Sequence, residues 1–364
     1  MTIFSGVKIV DLSRVFSGPY ATLQLANFGA QVIKVEPPGG DDSRYFPPLI
    51  DSWSGYYELL NHNKSSITLD LKDENDLHRF YEIVKDADVL VENFSPDVKR
   101  RLQVDFESVS KVNPDIIYAS IGGVSNQVNT KYYDIIAQAE SGFISLNGKD
   151  DDVKVAPAIM DAFGGMKLAF AISAALYGRA KTKKGTQIFV SMKGVAFDLL
   201  EQNLIETSVT GVNPAKVGNM DNAIAPFGLF KTKNGSIALA AGNEKLWQNI
   251  TTFLIKNNAE VDTAKFATNS LRLKNTTELQ NLIESVFVNF DTSELSEQLS
   301  EMGIPSGQVK TMKDVLSDKE NFEQKLLMNV HAQFHSFVVP TGGISFSTFA
   351  QSEYRMAPKN EHTD

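Results

Sequence analysis

The chain contains no cysteine. That excludes disulfides, thiolate zinc sites and a thiol nucleophile, and it makes the cytoplasm the expected location. Histidine is scarce, with five in 364 residues. His331 and His335 have the i, i+4 spacing of a helical metal pair, but they stand in a partly strand-like segment without a glutamate or third ligand. Packing or surface placement is the better reading, and no metal is expected. Basic residues are outnumbered, 35 Lys and Arg against 44 Asp and Glu, for a net charge of −9. That balance disfavours nucleic acid as a partner while leaving room for a small basic pocket around an anionic cofactor. Long hydrophobic runs are missing as well. The longest, near 169–177, is broken by Ser173 and too short to span a bilayer, and residues 1–8 lack the features of a signal peptide, so no membrane partner is expected. The first loop, Leu12-Ser13-Arg14-Val15-Phe16-Ser17-Gly18-Pro19, carries no Gly-x-Gly-x-x-Gly. There is no Walker loop, no Gly-x-Ser-x-Gly elbow and no helix-turn-helix signal.

What is present is the composition of a soluble globular protein, 42% hydrophobic and 22% charged, long enough for one large domain or two ordinary ones. The first third alternates strand-like runs at 8–11, 31–36, 66–71, 88–91 and 116–121 with helical stretches at 19–28, 74–85 and 106–112. The opening βαβ unit takes about 30 residues. This alternation predicts an α/β fold with a mostly parallel, doubly wound sheet. A helix over 162–179 is apolar nearly all round and is expected to be buried. A strand at 187–191 and a helix at 194–207 follow. After Ser208 the character changes to a polar linker. Asn234-Gly235 then marks a hairpin between 227–230 and 236–240, and helical patterns follow at 244–255, 277–289 and 293–301. We expect a large Rossmann-like domain over 1–207, completed by 320–364 with a β-like return at 338–349. Linker and a smaller α+β domain occupy 208–319.

One acid is hard to place. Asp161 lies in Val155-Ala156-Pro157-Ala158-Ile159-Met160-Asp161-Ala162-Phe163-Gly164-Gly165-Met166, where every neighbour is apolar or small. An unpaired charge is costly to bury, so Asp161 is either a helix N-cap or a working group. Local sequence leaves both open.

Several separated segments, taken in order, resemble class III CoA-transferases, the family of formyl-CoA and carnitine CoA-transferases. They are Ile9-Val10-Asp11 with Arg14-Val15 and Gly18-Pro19; Gly29-Ala30-Gln31-Val32-Ile33-Lys34-Val35-Glu36-Pro37; Asn61-His62-Asn63-Lys64-Ser65-Ser66-Ile67-Thr68-Leu69-Asp70-Leu71-Lys72; Val91-Glu92-Asn93-Phe94 with Pro96; Asn113-Pro114 with Ile116-Ile117-Tyr118; Tyr133-Asp134; Asp161 with its glycines; Lys184-Gly185 with Gln187; and the closing Ala357-Pro358, Glu361-His362-Thr363. The resemblance covers nearly the whole chain. It implies a Rossmann-like large domain, a smaller domain and an interlocked homodimer. It also implies an enzyme that moves coenzyme A from an acyl-CoA to a free carboxylic acid.

By the same resemblance Asp161 is the nucleophile, attacking the thioester and then carrying CoA as an aspartyl-CoA thioester. The helix start is expected to keep it ionised, and Gly164 and Gly165 to leave room for the thioester and offer amides to an oxyanion. Positions that contact CoA in the family match Val15, Phe16, Leu69, Lys72, Asn93, Phe94, Ser95, Arg101, Lys131 and Asp134. Without the resemblance, Lys72 and Arg101 read as solvated charges and Asn93-Phe94 as a strand-end turn. Tyr133 matches a position lining the active site; its plainer reading is a packed aromatic beside the sheet. Related α-methylacyl-CoA racemases place a histidine near there as a base. A tyrosine, with an unperturbed pKa of about 10, suits that role poorly, which favours transferase over racemase. Phe16 stands where formyl-CoA transferases have Gln, so formyl or oxalate specificity is not implied. The alternatives are an acyl-CoA racemase or epimerase, and a non-catalytic CoA-binding subunit.

Overall fold

The computed structural model describes residues 1–125, 131–332 and 335–359. Glu361, His362 and Thr363 of the closing motif lie outside the described residues. The chain divides into two compact units, one of residues 1–144, 154–204 and 326 onward, the other of 145–153 and 205–325. The expected boundaries stood at 207/208 and 319/320, and the excursion of 145–153 into the second unit has no counterpart in the sequence reading. Hydrogen bonds explain it: Gly218 donates its amide to the Gly148 carbonyl, and Lys216 Nζ reaches the Asp151 carbonyl and the Asp152 carboxylate.

Along the chain come β1 (Lys8–Asp11), α1 (Ser17–Asn27), β2 (Gln31–Glu36), a 3-10 turn (Asp42–Tyr45), the short pair β3 (Leu49–Ile50) and β4 (Trp53–Ser54), α2 (Gly55–Asn61), β5 (Ser65–Thr68) and α3 (Glu74–Lys85). Then follow β6 (Val89–Glu92), α4 (Pro96–Arg101), α5 (Phe106–Val112), β7 (Ile117–Gly122), α6 (Asp134–Glu140), α7 (Phe143–Leu146), α8 (Ile159–Thr182), β8 (Thr186–Ser191), α9 (Met192–Asp198) and α10 (Glu201–Thr210). The helix expected over 194–207 is thus two helices.

Six strands form one parallel sheet in the order β5-β2-β1-β6-β7-β8. Strand side chains alternate faces, and here both faces are buried. Ile9, Val89, Val91, Ile117, Ala119 and Ile121 enter a core with Ala21 and Leu25 of α1 and Leu168 and Ile172 of α8. Val10, Leu90 and Tyr118 enter the opposite core with Phe80 and Val84 of α3 and Val109 of α5. Truncating a fully buried aromatic such as Phe80 in a core of this kind costs about 3–5 kcal/mol.

Helix α8 departs from expectation. It is 24 residues long, and by length and composition alone its stretch of mean hydropathy 1.4 could cross a membrane. Only 33% of that stretch is buried. One face packs on α1, β7, β8 and α9, while Phe170 and Tyr177 on another are 77% and 68% exposed. An all-round apolar pattern therefore did not mean all-round burial within the chain.

The second unit is built on β9 (Phe227–Lys231), β10 (Ser236–Ala240) and, later, β11 (Ser306–Gln308), an antiparallel sheet with β10 central. The turn at Thr232–Gly235 closes with the Thr232 amide on the Gly235 carbonyl. Helices α11 (Glu244–Lys256), α12 (Asn269–Lys274), α13 (Thr276–Phe287) and α14 (Thr292–Glu301) accompany the sheet; Trp247, Phe253, Ile283, Phe287 and Leu295 make its core. Next come α15 (Met312–Ser317) and α16 (Lys319–Glu323). The β-like return at the end is a separate two-stranded ribbon, β12 (Leu327–His331) with β13 (Ser336–Pro340), and does not join the large sheet. Its histidines do not share a helix: His331 Nδ1 meets Ser336 Oγ, and His335 packs on Trp53.

Candidate active site

From β1 the sheet grows one way through β2 and β5, then the other way through β6, β7 and β8. Loops leaving the carboxyl ends of β1 and β6 must diverge, and a crevice opens between them. It holds a cleft of about 320 Å³, walled by residues 14–17 after β1, 93–96 after β6, 121–123 at the end of β7, 131–133 before α6, and Asp161.

Asp161 is part-buried in the first turn of α8. It is not the cap. The N-cap is Ala158, which offers no side-chain acceptor. Asp134 does that work from α6, its Oδ1 accepting from the Met160 amide at 2.7 Å and the Asp161 amide at 3.4 Å, while its Oδ2 accepts from Gln138 Nε2 at 2.6 Å. This placement frees the Asp161 carboxylate for the cleft. Contrary to expectation, the helix start does not hold its pKa low. Burial first, and the neighbouring Asp134 charge second, push Asp161 up to about 7, against a hydrogen bond from Ser17 that lowers it. The Asp134 charge offsets the positive end of the helix. No cation among the described residues forms an ion pair with Asp161.

Gly164 and Gly165 are buried and belong to packing. A Cβ on Gly165 would lie 2.6 Å from the Ser17 carbonyl, and one on Gly164 would lie 3.0 Å from Ile121 Cδ1 and 3.1 Å from Met192 Sδ. Both amides fall past the first turn of α8, where helical amides bond the preceding turn, so neither is free for an oxyanion. These glycines bring α8 against α1 and β7.

A family model described as CoA-transferase family III matches residues 4–363. The chain belongs to this family. It is 32% identical to an acetyl-CoA:oxalate CoA-transferase of Acetobacter aceti over 98% of this chain and 92% of that protein. It is 33% identical to the succinyl-CoA:glutarate CoA-transferase of Mus musculus over 100% of this chain and 85% of that one. The crystal structure of a CAIB/BAIF family protein from Brucella suis superposes with a TM-score of 0.88 at 30% identity, covering 99% of this chain and 97% of that chain. The chain is a CoA-transferase with the α/β fold of that structure.

Within this family III chain, the cleft brings together Val15, Phe16, Asn93, Phe94, Ser95, Lys131, Tyr133 and Asp161. Tyr133 is 60% exposed and is not a packed aromatic. Four other predicted contacts, Leu69, Lys72, Arg101 and Asp134, lie outside the cleft walls. Leu69 is 1% exposed in the core beside Val10 and Val35, and Lys72 and Arg101 are exposed on the surface. Asp134 stands behind the wall as the cap. Asn93 is committed to the backbone of Arg14, its Oδ1 accepting from the Arg14 amide at 2.9 Å and its Nδ2 donating to the Arg14 carbonyl at 2.8 Å.

Two participants escaped the sequence reading. Ser17 supplies the hydrogen bond to Asp161. Tyr56, on α2, packs against Phe16 and Phe46. Burial and the Asp161, Asp41 and Asp134 charges push its hydroxyl up to about 12. Helix α2 is short and opens Gly-Tyr-Tyr, with little periodicity to announce it.

Proposed function

We propose that this CoA-transferase moves coenzyme A from an acyl-CoA to a small free carboxylic acid through an aspartyl-CoA thioester on Asp161. The observation that carries this reading is a carboxylate with no cationic partner among the described residues, in the walls of the cleft at the sheet's switch point, in a chain of this family. An Asp161 oxygen attacks the thioester carbonyl, the C–S bond breaks, and CoA leaves as thiolate with a mixed anhydride behind. The thiolate attacks the Asp161 carbonyl, the anhydride C–O bond breaks, and the donor acid departs as carboxylate. An acceptor carboxylate then reverses both steps and restores Asp161. No net proton is consumed. Each step exchanges one activated acyl group for another of similar reactivity, so covalent catalysis replaces one difficult exchange with easier ones.

The local geometry suits these steps. A carboxylate with a pKa of about 7 is more nucleophilic than an ordinary one and still largely ionised above neutrality. Apolar walls from Phe16, Ile121 and Met192 limit hydrolysis of the anhydride. Arg14 and Lys131 are the cations among the described cleft residues, and we assign them to anionic parts of the substrates. The racemase alternative uses a histidine base near this point, and no histidine stands among the described lining residues.

The relatives are named for oxalate and glutarate, so small dicarboxylic acids head the acceptor panel. We further read the open apolar face of α8 as the seat of a second copy, in keeping with the interlocked dimer implied by the resemblance. The test is exchange: acyl-CoA mixed with a pool of isotopically labelled acids, with the new CoA esters read by mass spectrometry. Transfer to one or more acids that disappears in Asp161→Ala supports the reading. Deuterium uptake at Cα in heavy water without transfer would replace it with a racemase.

A further inference from the structure

The turn that carries Phe16 and Ser17 into the cleft is held in an unfavourable shape. Val15 has φ +66°, the left-handed region that a β-branched residue rarely adopts. Something must hold it there. Below the turn lies a chain of buried charges that the transfer chemistry does not use. Lys34, in the middle of β2, and Asp41 pair at 2.8 Å, each side chain only 1% exposed. Lys34 Nζ also donates to the Ser13 carbonyl at 2.8 Å. Both Asp41 oxygens accept from the Val15 amide at 3.3 Å. The pair therefore grips the turn at both ends, while Asn93 holds Arg14 between them.

Asp41 is itself fixed from behind. Ser43 donates its amide and hydroxyl to Oδ1 at 2.9 and 2.8 Å. The Asp41 amide donates to Glu36 Oε2 at 2.9 Å, and Glu36 is held by Arg44. Arg44 reaches onward to the Tyr57 hydroxyl and the Pro358 carbonyl. A buried ion pair is weak evidence of stabilisation, because desolvation opposes its Coulombic gain. Its placement on both ends of a strained active-site turn gives it another use.

We propose that the buried Lys34–Asp41 pair is a positioning device for the active site, clamping Ser13–Val15 so that Phe16 lines the cleft and the Ser17 hydroxyl meets Asp161. Asp41 touches no reacting atom; it acts through Val15. This assignment rests on the reading of the cleft as the acyl-CoA site.

The test is a double-mutant cycle of Asp41→Asn and Val15→Gly in the full-length enzyme, read by kcat/KM for acyl exchange. A misplaced turn is expected to lower kcat/KM in Asp41→Asn by about 10- to 100-fold, chiefly through kcat. Glycine takes positive φ without help, so in the Val15→Gly background the same substitution is expected to cost less than about threefold. Equal losses in both backgrounds, or an unchanged kcat/KM alongside a lowered urea midpoint, would reduce the pair to an ordinary structural contact. If Asp41→Asn does not fold, Ser43→Ala removes one of the hydrogen bonds to Asp41, with about a threefold loss expected, again smaller in the Val15→Gly background. No loss there overturns the proposal. Equilibrium CoA binding separates this claim from the transfer chemistry. Should Asp161→Ala still exchange acyl groups, the clamp is judged by CoA affinity, expected to be weaker in Asp41→Asn by about tenfold; an unchanged affinity overturns it.

Discussion

Asp41 and Asp161 sit on two sides of the same turn and are driven in opposite directions. Burial opposes ionisation of both. At Asp41 the Lys34 ammonium, with the Ser43 donors, overcomes burial and holds the carboxyl at about 2. Asp11 nearby is likewise held below its usual value, against burial, by Lys64 and Lys34. Asp161 has one hydroxyl donor and a like charge, Asp134, and rises to about 7. Burial alone does not decide what a carboxylate does; the partner does. With a lysine it becomes scaffold, and without one it is available for chemistry.

Removing the unpaired member breaks the comparison most severely. Asp161→Asn should lower acyl exchange by at least about 10⁴-fold, measured as initial rate, because the proposed nucleophile is gone. Its circular dichroism should match that of the wild type. The next effect is on pH. With Asp161 at about 7, kcat/KM of the free enzyme should rise with pH through about 7 and level off above it. Asp134→Asn removes the like charge and should move that rise to lower pH, with some loss of helix stability from the weakened cap. A rise that stays in place would remove Asp134 from the account.

Stability should separate the two acids by sign. Asp41 has a folded value of about 2 against 3.8 when unfolded, so its contribution is present above 3.8 and is lost as pH falls toward 2. Asp161 has a folded value of about 7 against 3.8, so its ionisation destabilises the fold above 7, an effect that fades as pH falls toward 3.8. Urea midpoints across pH should show Asp161→Asn more stable than wild type at pH 8, with the advantage gone near pH 4. The smallest expected effect is Tyr56→Phe, a loss of about two- to tenfold in kcat through the hydroxyl that feels the Asp161 charge.

The large sheet was legible because strands such as Val89–Glu92 and Ile117–Gly122 are apolar on both faces and helices such as Glu74–Lys85 carry clear caps. The cleft loops followed from the resemblance. Pairings between distant residues were not legible. The Lys34–Asp41 pair, the Asp134 cap on α8 and the Asn93 grip on Arg14 went unseen, because those partners are set by tertiary packing. Gly164 and Gly165 were misread for the same reason: their neighbours Ser17, Ile121 and Met192 come from other elements. The burial of α8 was overestimated because an apolar helix records what it can cover, not whether the same chain covers it.

Asp161 is proposed to carry CoA. Incubation with acyl-CoA, acid quench, proteolysis and mass spectrometry, with hydroxylamine in a parallel sample, tests it directly. A CoA adduct is expected on the peptide holding Asp161, converted to a hydroxamate at that residue by hydroxylamine and absent from Asp161→Asn. Full acyl exchange with no adduct at Asp161, or with the adduct on another residue, would contradict it.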